Sequence, residues 1–438
     1  MTSRRVVITG IGVISPIGIG AKAFWDNLLA GKVGVRRISN WDPSGFPAQV
    51  GGEVPAYKIG DYVPKSYRKA TKVMARDIEL AVVAADDAFK EAGLKSRAYT
   101  ETPDIPATRF GCNIGAGLIN VDLNELTAAL NTARGEGNRL DLKRWGSEGL
   151  NNLTPLWLLK YLPNMLACHV TIIHELKGPS NTITCADASS HLAIGEAFRT
   201  IQRGAADLAI CGGAETKVLP MSVMRQVLLR RATETHNDSP EQSVRPFDAD
   251  ADGTAVGEGG GLFILEEYER ATARGAKIYA ELVGFGASQD TYSVTQPDPK
   301  GTCYGKALSK ALADANLPPN AVDLLVPCGL GIPGHDRAEL AGLHNVFGGG
   351  LERVAMAPTK GQTGNLAAGS GVDAAAAVLA LHHGKIPPAV NTRKPLDGVK
   401  LNVRPEARDA KLNVSVSTVY SLGGQNAALV FRKAAGVA

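Results

Sequence analysis

The chain has 438 residues, 44% of them hydrophobic and 21% charged, with a net charge of +4. That balance suits a globular protein with a large core, built as two domains or one duplicated one, and excludes a disordered chain. A charge this mild excludes a strong nucleic-acid footprint but leaves room for an acidic protein partner, and no run of about 18 apolar residues offers a membrane span.

The opening MTSRRVVITGIGVIS lacks the pattern of a secretory signal, because its apolar run is broken by glycine and no cleavage site follows. Six cysteines (112, 168, 185, 211, 303 and 328) are spread without C-x-x-C pairing. They read as reduced thiols of a cytoplasmic protein rather than disulfides or a zinc site. No metal and no cofactor is expected. The glycines of AVGEGGG (255–261) read as strand-turn packing, since neither a lysine nor a helix start follows directly.

In chain order, residues 4–14 predict a buried, β-branched strand bounded by glycines. Helical spacing follows at 21–30 and, more strongly, at 69–92. Residues 109–114 predict a strand, and 117–160 mix helix with loop. Residues 178–184 predict a strand running straight into a helix at 189–203. Apolar strands are expected at 207–212 and 260–266. A second cycle then begins: AELVGFGA (280–287) echoes residues 7–14 in its strand-then-glycine form. Helices at 301–315 and 369–383 and strands at 323–327, 414–419 and 427–431 complete it. Two cycles of alternating strands and helices point to an α/β fold with internal duplication, divided here into 1–270 and 271–438.

The functional content lies in the turns. Seven segments are informative in order and spacing: VVITGIGVISPIG (6–18), GPSNTIT (178–184), CGGAE (211–215), RPFDADADGTAVGEGGG (245–261), EEYERATARGAKIYAELVGFG (266–286), PTKGQTGNLAAGSG (358–371) and LGGQNAALVF (422–431). Together they resemble the β-ketoacyl-acyl-carrier-protein synthases, closest to the synthase I/II branch. The resemblance implies a thiolase-like α/β fold, with two similar halves in a five-layer α-β-α-β-α arrangement, and a dimer. It also implies a chemistry. A cysteine at a helix N-terminus accepts an acyl chain from a carrier protein, and two histidines stabilise the charge formed as malonyl-carrier protein loses carbon dioxide.

This chain departs from that pattern at each catalytic position. The turn that carries the nucleophile holds Asp187, and a carboxylate cannot form the acyl thioester. The first histidine falls on Cys328 of CGLGIPGHD, whose final aspartate is kept as Asp336. The second falls on Asn365 of KGQTGN. The supporting lysine and glutamate are kept as Lys360 and Glu339, and the phenylalanine gate becomes Leu422. The loop glycines remain while the chemistry has gone. That combination resembles the chain-length factors, silent partners of active ketosynthases, although those commonly carry glutamine at the nucleophile position.

Three readings of Asp187 stay open: a helix cap, a negative charge that prevents acyl loading, or a general base. Cys185, two positions upstream on the same strand phase, and a His335–Asp336 pair are further candidates for chemistry. Their alternatives are a packed small hydrophobe and a solvated loop pair. Lys65, Arg68 and Lys69, together with Arg231, match basic positions that dock the acidic carrier protein in the family. The alternative is a solvated charged face. IGAGLIN (114–120) matches the interface stretch that gates the acyl tunnel, so Leu118 and Ile119 are candidates for its floor.

Two functions follow. One is a silent subunit that pairs with an active ketosynthase and shapes the acyl tunnel. The other is a homodimeric enzyme that acts on acyl- or malonyl-carrier protein through Asp187, Lys360, Glu339 and Asn365.

Overall fold

The computed structural model describes residues 4–434. Ten strands run through its main sheet in a repeated order. In the first half Val6–Ser15 lies beside Val256–Glu267, then Leu208–Thr216, Phe110–Ala116 and the edge strand Ser180–Ile183. In the second half Ala280–Gln289 lies beside Gln425–Arg432, then Val414–Tyr420, Leu324–Val326 and Ala355–Met356. In each half the first strand pairs with the last, followed by the penultimate, the second and the third. The pairing senses also repeat: antiparallel, antiparallel, parallel, parallel. The duplication that the sequence suggested is therefore written in the topology. The halves join where Val6–Ile8 pairs antiparallel with Ala280–Leu282.

Helices complete five layers. Arg76–Glu91 covers the outer face of the first sheet and Thr302–Asp314 that of the second. Ser189–Gln202 and Gly371–His383 fill the space between them, touching strands of both halves. Both helices are largely buried and rich in small residues; Gly371 through Leu381 are all buried, whereas Ser189–Gln202 keeps a partly exposed stripe with Glu196 and Arg199. Gly195 marks how close the layers come. A Cβ there would sit 2.4 Å from the Phe285 ring, so only glycine lets helix and second sheet touch. Among the described residues no helix is long and apolar enough to cross a membrane.

The expected helix over 69–92 needs correction. Lys65–Val73 is a 3₁₀ run with no buried residue, and the α-helix proper is Arg76–Glu91. Between them Met74 and Ala75 are extended and bury their side chains. The basic run docks on the core only through Tyr67, too little apolar surface to extend the helix backward through it. Three further helices, Met165–His174, Pro220–Leu228 and Pro333–Phe347, were not anticipated. The last two carry proline at the first helical turn, a start signal that the glycines near Pro333 obscured.

Candidate functional site

The turn after Ser180–Ile183 leads through a 3₁₀ turn, Ala186–Ala188, into the helix Ser189–Gln202. Ala186 sits at φ 46°, a left-handed conformation that costs a non-glycine residue about 1–2 kcal/mol. Ser189 holds the turn on both sides. Its Oγ accepts from the Cys185 N–H at 2.7 Å and donates to the Ala116 carbonyl at 3.0 Å. Ser370 Oγ donates to the Asp187 carbonyl at 2.7 Å. Gly115 makes room for this: a Cβ there would lie 2.5 Å from the Ser189 backbone.

Asp187 is buried, 4% exposed, and its Oδ1 has no hydrogen-bond partner. The helix it precedes has no side-chain cap, so the capping role fails. Asp187 is instead part of the wall of a cavity. Cys185 does not line that cavity. The left-handed Ala186 breaks the strand's alternation, and Cys185 packs against the apolar core of the second half. Burial pushes its thiol up, which removes the thiolate that nucleophilic chemistry requires.

Two loops close on this turn. The Cys328 loop hangs on two buried carboxyls. Glu339 accepts from the N–H groups of Cys328 and Gly329, both at 2.8 Å, and from the Tyr304 hydroxyl at 2.6 Å. Asp336 accepts from Leu330 at 3.0 Å, Gly331 at 3.1 Å and Phe247 at 2.8 Å. Burial, with Glu339 nearby, pushes Asp336 up to about 7. The second loop carries Lys360, which makes a buried ion pair with Asp373 at 2.6 Å. Thr359 Oγ1 also donates to Asp373. Asn365 is anchored through its backbone to Ala255 and Gly257, each at 2.8 Å, and its Oδ1 accepts from Ala367 at 3.0 Å.

Cys328 is fully buried, and burial holds its thiol well above the ordinary range. Lys360, Glu339 and Asp187 all lie within electrostatic reach of it. The five positions that the resemblance singled out thus converge. Their roles here are visible as architecture: Glu339 splints one loop, and Lys360 is neutralised by Asp373.

His335 and Asp336 are not the dyad that their adjacency suggested. Both Asp336 oxygens are taken by backbone N–H groups. Nor are they a solvated loop pair, since both are buried in the first turn of Pro333–Phe347. His335 instead feels Arg231 and Asp187. Burial, with Arg231 nearby, lowers it to about 4, so the ring is neutral at pH 7, and its Nδ1 has no partner.

The cavity in front of Asp187 encloses about 380 Å³. Asn365, Leu422, Arg231 and Leu118 share its wall with Asp187. Leu118 is 61% exposed and stands at the mouth, whereas Ile119 is buried in the first half's core and does not reach the wall. Ile119 is therefore corrected from tunnel floor to core packing. Arg231 is corrected as well. At 3% exposure it cannot meet a carrier protein on the surface; its guanidinium belongs to the cavity. Lys65, Arg68 and Lys69 are exposed on their 3₁₀ run, which touches the turn Trp157–Tyr161 near the wall residue Pro163.

Sequence reasoning missed Tyr304, Asp373, Gln226 and Thr254. Asp373 had a signal, because a lysine in an apolar loop demands a counterion and "GVD" is the nearest acid downstream. The others had none. Tyr304 and Gln226 lie outside the motifs, and Thr254, though inside 245–261, is placed on the wall by its backbone bond to Arg231.

The model of the beta-ketoacyl synthase N-terminal domain matches residues 3–271, and that of the beta-ketoacyl synthase C-terminal domain matches residues 279–393. A 3-oxoacyl-[acyl-carrier-protein] synthase 2 from Staphylococcus aureus (strain N315) is 34% identical over 433 residues, covering 98% of this chain and 99% of the relative. Among solved structures, the ishigamide ketosynthase/chain length factor superposes with a TM-score of 0.85 at 28% identity, over 99% of this chain and 100% of that one. A type II polyketide acyl-carrier protein in complex with its ketosynthase bound to the hexaketide gives 0.82 at 25% identity, over 99% and 100%. With two domain models spanning most of its length and a relative matched end to end, the chain belongs to the beta-ketoacyl synthase family, of the fatty-acid and type II polyketide kind.

Proposed function

We propose that this chain is the non-condensing partner of an active ketosynthase, a chain-length factor of a fatty-acid or type II polyketide system acting in the cytoplasm. The observation that carries the reading is Asp187. A carboxyl group stands where acyl loading needs a thiol, on a turn whose strained geometry is intact. Cys328 and Asn365, in the loops where the resemblance expects histidines, supply no imidazole.

Further features support an assembly. Ser180–Ile183 is an edge strand of the main sheet with its first residues exposed, an unpaired edge that invites a second sheet. Leu118, Leu156, Leu158 and Ile172 are each at least 60% exposed. Such apolar exposure marks an interaction surface. In this reading two halves, 1–270 and 271–438, form one subunit of a pseudo-symmetric heterodimer. Leu118 and Leu422 border the acyl tunnel, and Lys65, Arg68 and Lys69 attract an acidic carrier protein.

Affinity capture of the protein from its native cell, read by mass spectrometry, tests this. Recovery of a second ketosynthase with a full Cys-His-His set, in equal amount, is expected. In the reconstituted pair, Leu118→Ala should lengthen products, and an unchanged product spectrum counts against the tunnel role. Asp187→Cys should not restore condensation by itself.

A homodimeric enzyme acting on acyl- or malonyl-carrier protein is the second reading. The neutral His335 within electrostatic reach of Asp187 favours it. Turnover of malonyl-carrier protein by the chain alone, lost in Asp187→Ala, would replace the first reading with this one.

A further inference from the structure

The cavity wall holds an uncompensated set of polar groups. Arg231 is 3% exposed, and its Nε has no hydrogen-bond partner. Thr254 Oγ1 and Gln226 Oε1, on residues 1% and 8% exposed, also lack partners. So does Asp187 Oδ1. All four residues line the one cavity. The other cations of that wall are engaged: Lys217 pairs with Glu215, and Arg225 donates to Asn120 at 3.0 Å. Neither Arg225 nor Arg231 pairs with an acid among the described residues, and Arg231 is the buried one of the two, with an Nε that no acceptor meets.

This set is built rather than accidental. Arg231 N–H donates to the Gln226 carbonyl at 2.9 Å, and the Thr254 N–H donates to the Arg231 carbonyl at 2.8 Å. The three backbones are thus tied together, and all three residues line the cavity. Gln226 comes from the helix Pro220–Leu228, and Thr254 from the lead into the strand Val256–Glu267. A buried unpaired charge costs several kcal/mol on the order-of-magnitude scale for such groups. A fold that retains one without a structural partner is consistent with a ligand that supplies it.

We propose that Arg231 and Thr254 form a carboxylate subsite, and that the cavity takes a small hydroxy acid without covalent attachment. The carboxylate lies on the Arg231 guanidinium and accepts from the Thr254 hydroxyl. The ligand hydroxyl donates to Asp187 Oδ1. The remaining wall, with Leu118, Val256, Ala367 and Leu422, suits a short carbon chain. The volume of about 380 Å³ lies in the range of small-molecule sites. The proposal gives Asp187 a binding role as a hydrogen-bond acceptor. It does not depend on the partner assignment, because binding is read directly on the purified protein with whatever subunit it carries.

The test uses 2-, 3- and 4-hydroxybutyrate, 3-hydroxybutyramide as the uncharged control, and inorganic phosphate as the oxyanion a carrier arm would bring. Calorimetric titration and thermal melts are run on the wild type, Arg231→Met and Thr254→Val. At least one hydroxybutyrate should bind saturably, and the amide should not. Arg231→Met should weaken binding by about tenfold or more, roughly 1.4 kcal/mol. The same variant, without ligand, should melt at the wild-type temperature or above it, since it removes an unpaired buried cation. A merely structural arginine would give the opposite sign in the melt. Thr254→Val should weaken binding several-fold and keeps the test open should Arg231→Met fail to fold. Equal binding by wild type and Arg231→Met overturns the proposal, as does preference for phosphate or the absence of saturation by every hydroxy acid. Dissociation of an assembled subunit on Arg231→Met, without probe binding, assigns the charge to an interface and also overturns it.

Discussion

The Lys360–Asp373 pair offers a sharp test of what the retained lysine does. Both side chains are buried, 2% and 3% exposed, and the ammonium meets the carboxylate at 2.6 Å. At that separation the gross attraction is roughly 6 kcal/mol for an effective dielectric of about 20, and it is largely offset by the desolvation of both ions. Asp373→Asn leaves the Lys360 ammonium buried without a counterion and should cost about 3–5 kcal/mol. Lys360→Met leaves the Asp373 carboxylate with only the Thr359 hydroxyl and should cost a similar amount. The double variant removes both charges yet keeps an amide oxygen for Thr359. It should fall within about 1–2 kcal/mol of the wild type. Urea unfolding of the four proteins closes the cycle, with an expected coupling of several kcal/mol. Additive single losses would refute the reasoning, because they would mean that neither charge is stranded by loss of the other. In the silent-subunit reading the double variant also keeps its partner and its product spectrum. A folded double variant that loses a catalytic turnover would assign Lys360 to chemistry instead.

Ala186→Gly should leave stability unchanged or raise it by up to about 1 kcal/mol, since relief at φ 46° offsets the added chain entropy; a loss beyond about 1 kcal/mol in a denaturant melt contradicts the strain. Replacing Lys65, Arg68 and Lys69 by glutamate should change stability by no more than about 0.5 kcal/mol per site, as all three are exposed. If they steer an acidic carrier protein, the same variant should lose most of the salt dependence of its association rate, measured by surface plasmon resonance. Burial lowers His174 to about 3. The unfolded chain therefore takes up a proton below about pH 6.5 while the folded ring does not, so stability present above 6.5 is lost as pH falls toward 3. Between pH 7 and 5 the wild type should lose about 2 kcal/mol more than His174→Gln, and parallel pH dependences would remove His174 as the cause. Asp336, pushed up to about 7, works in the opposite direction and is common to both proteins.

Much of the fold was legible because its signals are local. The strand Val6–Ser15 is β-branched and glycine-bounded, and the alanine-rich helix Gly371–His383 carries its buried character in its composition. The loops that hold Asp187, Cys328, Lys360 and Asn365 could be located because turns need particular residues at fixed spacing. Boundaries failed where local and tertiary demands diverged. Lys65–Val73 has helical spacing but only Tyr67 to pack on the core, so it stays a 3₁₀ run. Pro333–Phe347 begins inside a glycine-rich stretch that reads as loop.

Side-chain partners were a different matter. Adjacency in sequence joined His335 to Asp336, but a helical turn sends neighbouring side chains in different directions, and Asp336 went to the backbone N–H groups of Leu330, Gly331 and Phe247. The family resemblance placed Arg231 with Lys65, Arg68 and Lys69 among the basic positions that dock a carrier protein. Only the packing of Pro220–Leu228 against the lead into Val256–Glu267 could turn it inward. The sequence by itself determined the family, the doubled α/β order and the presence of an aspartate at position 187, since these are properties of residue type and spacing. The tertiary structure decided which groups share the cavity and which charge has no partner there, because burial and electrostatic pairing depend on residues brought together from distant parts of the chain.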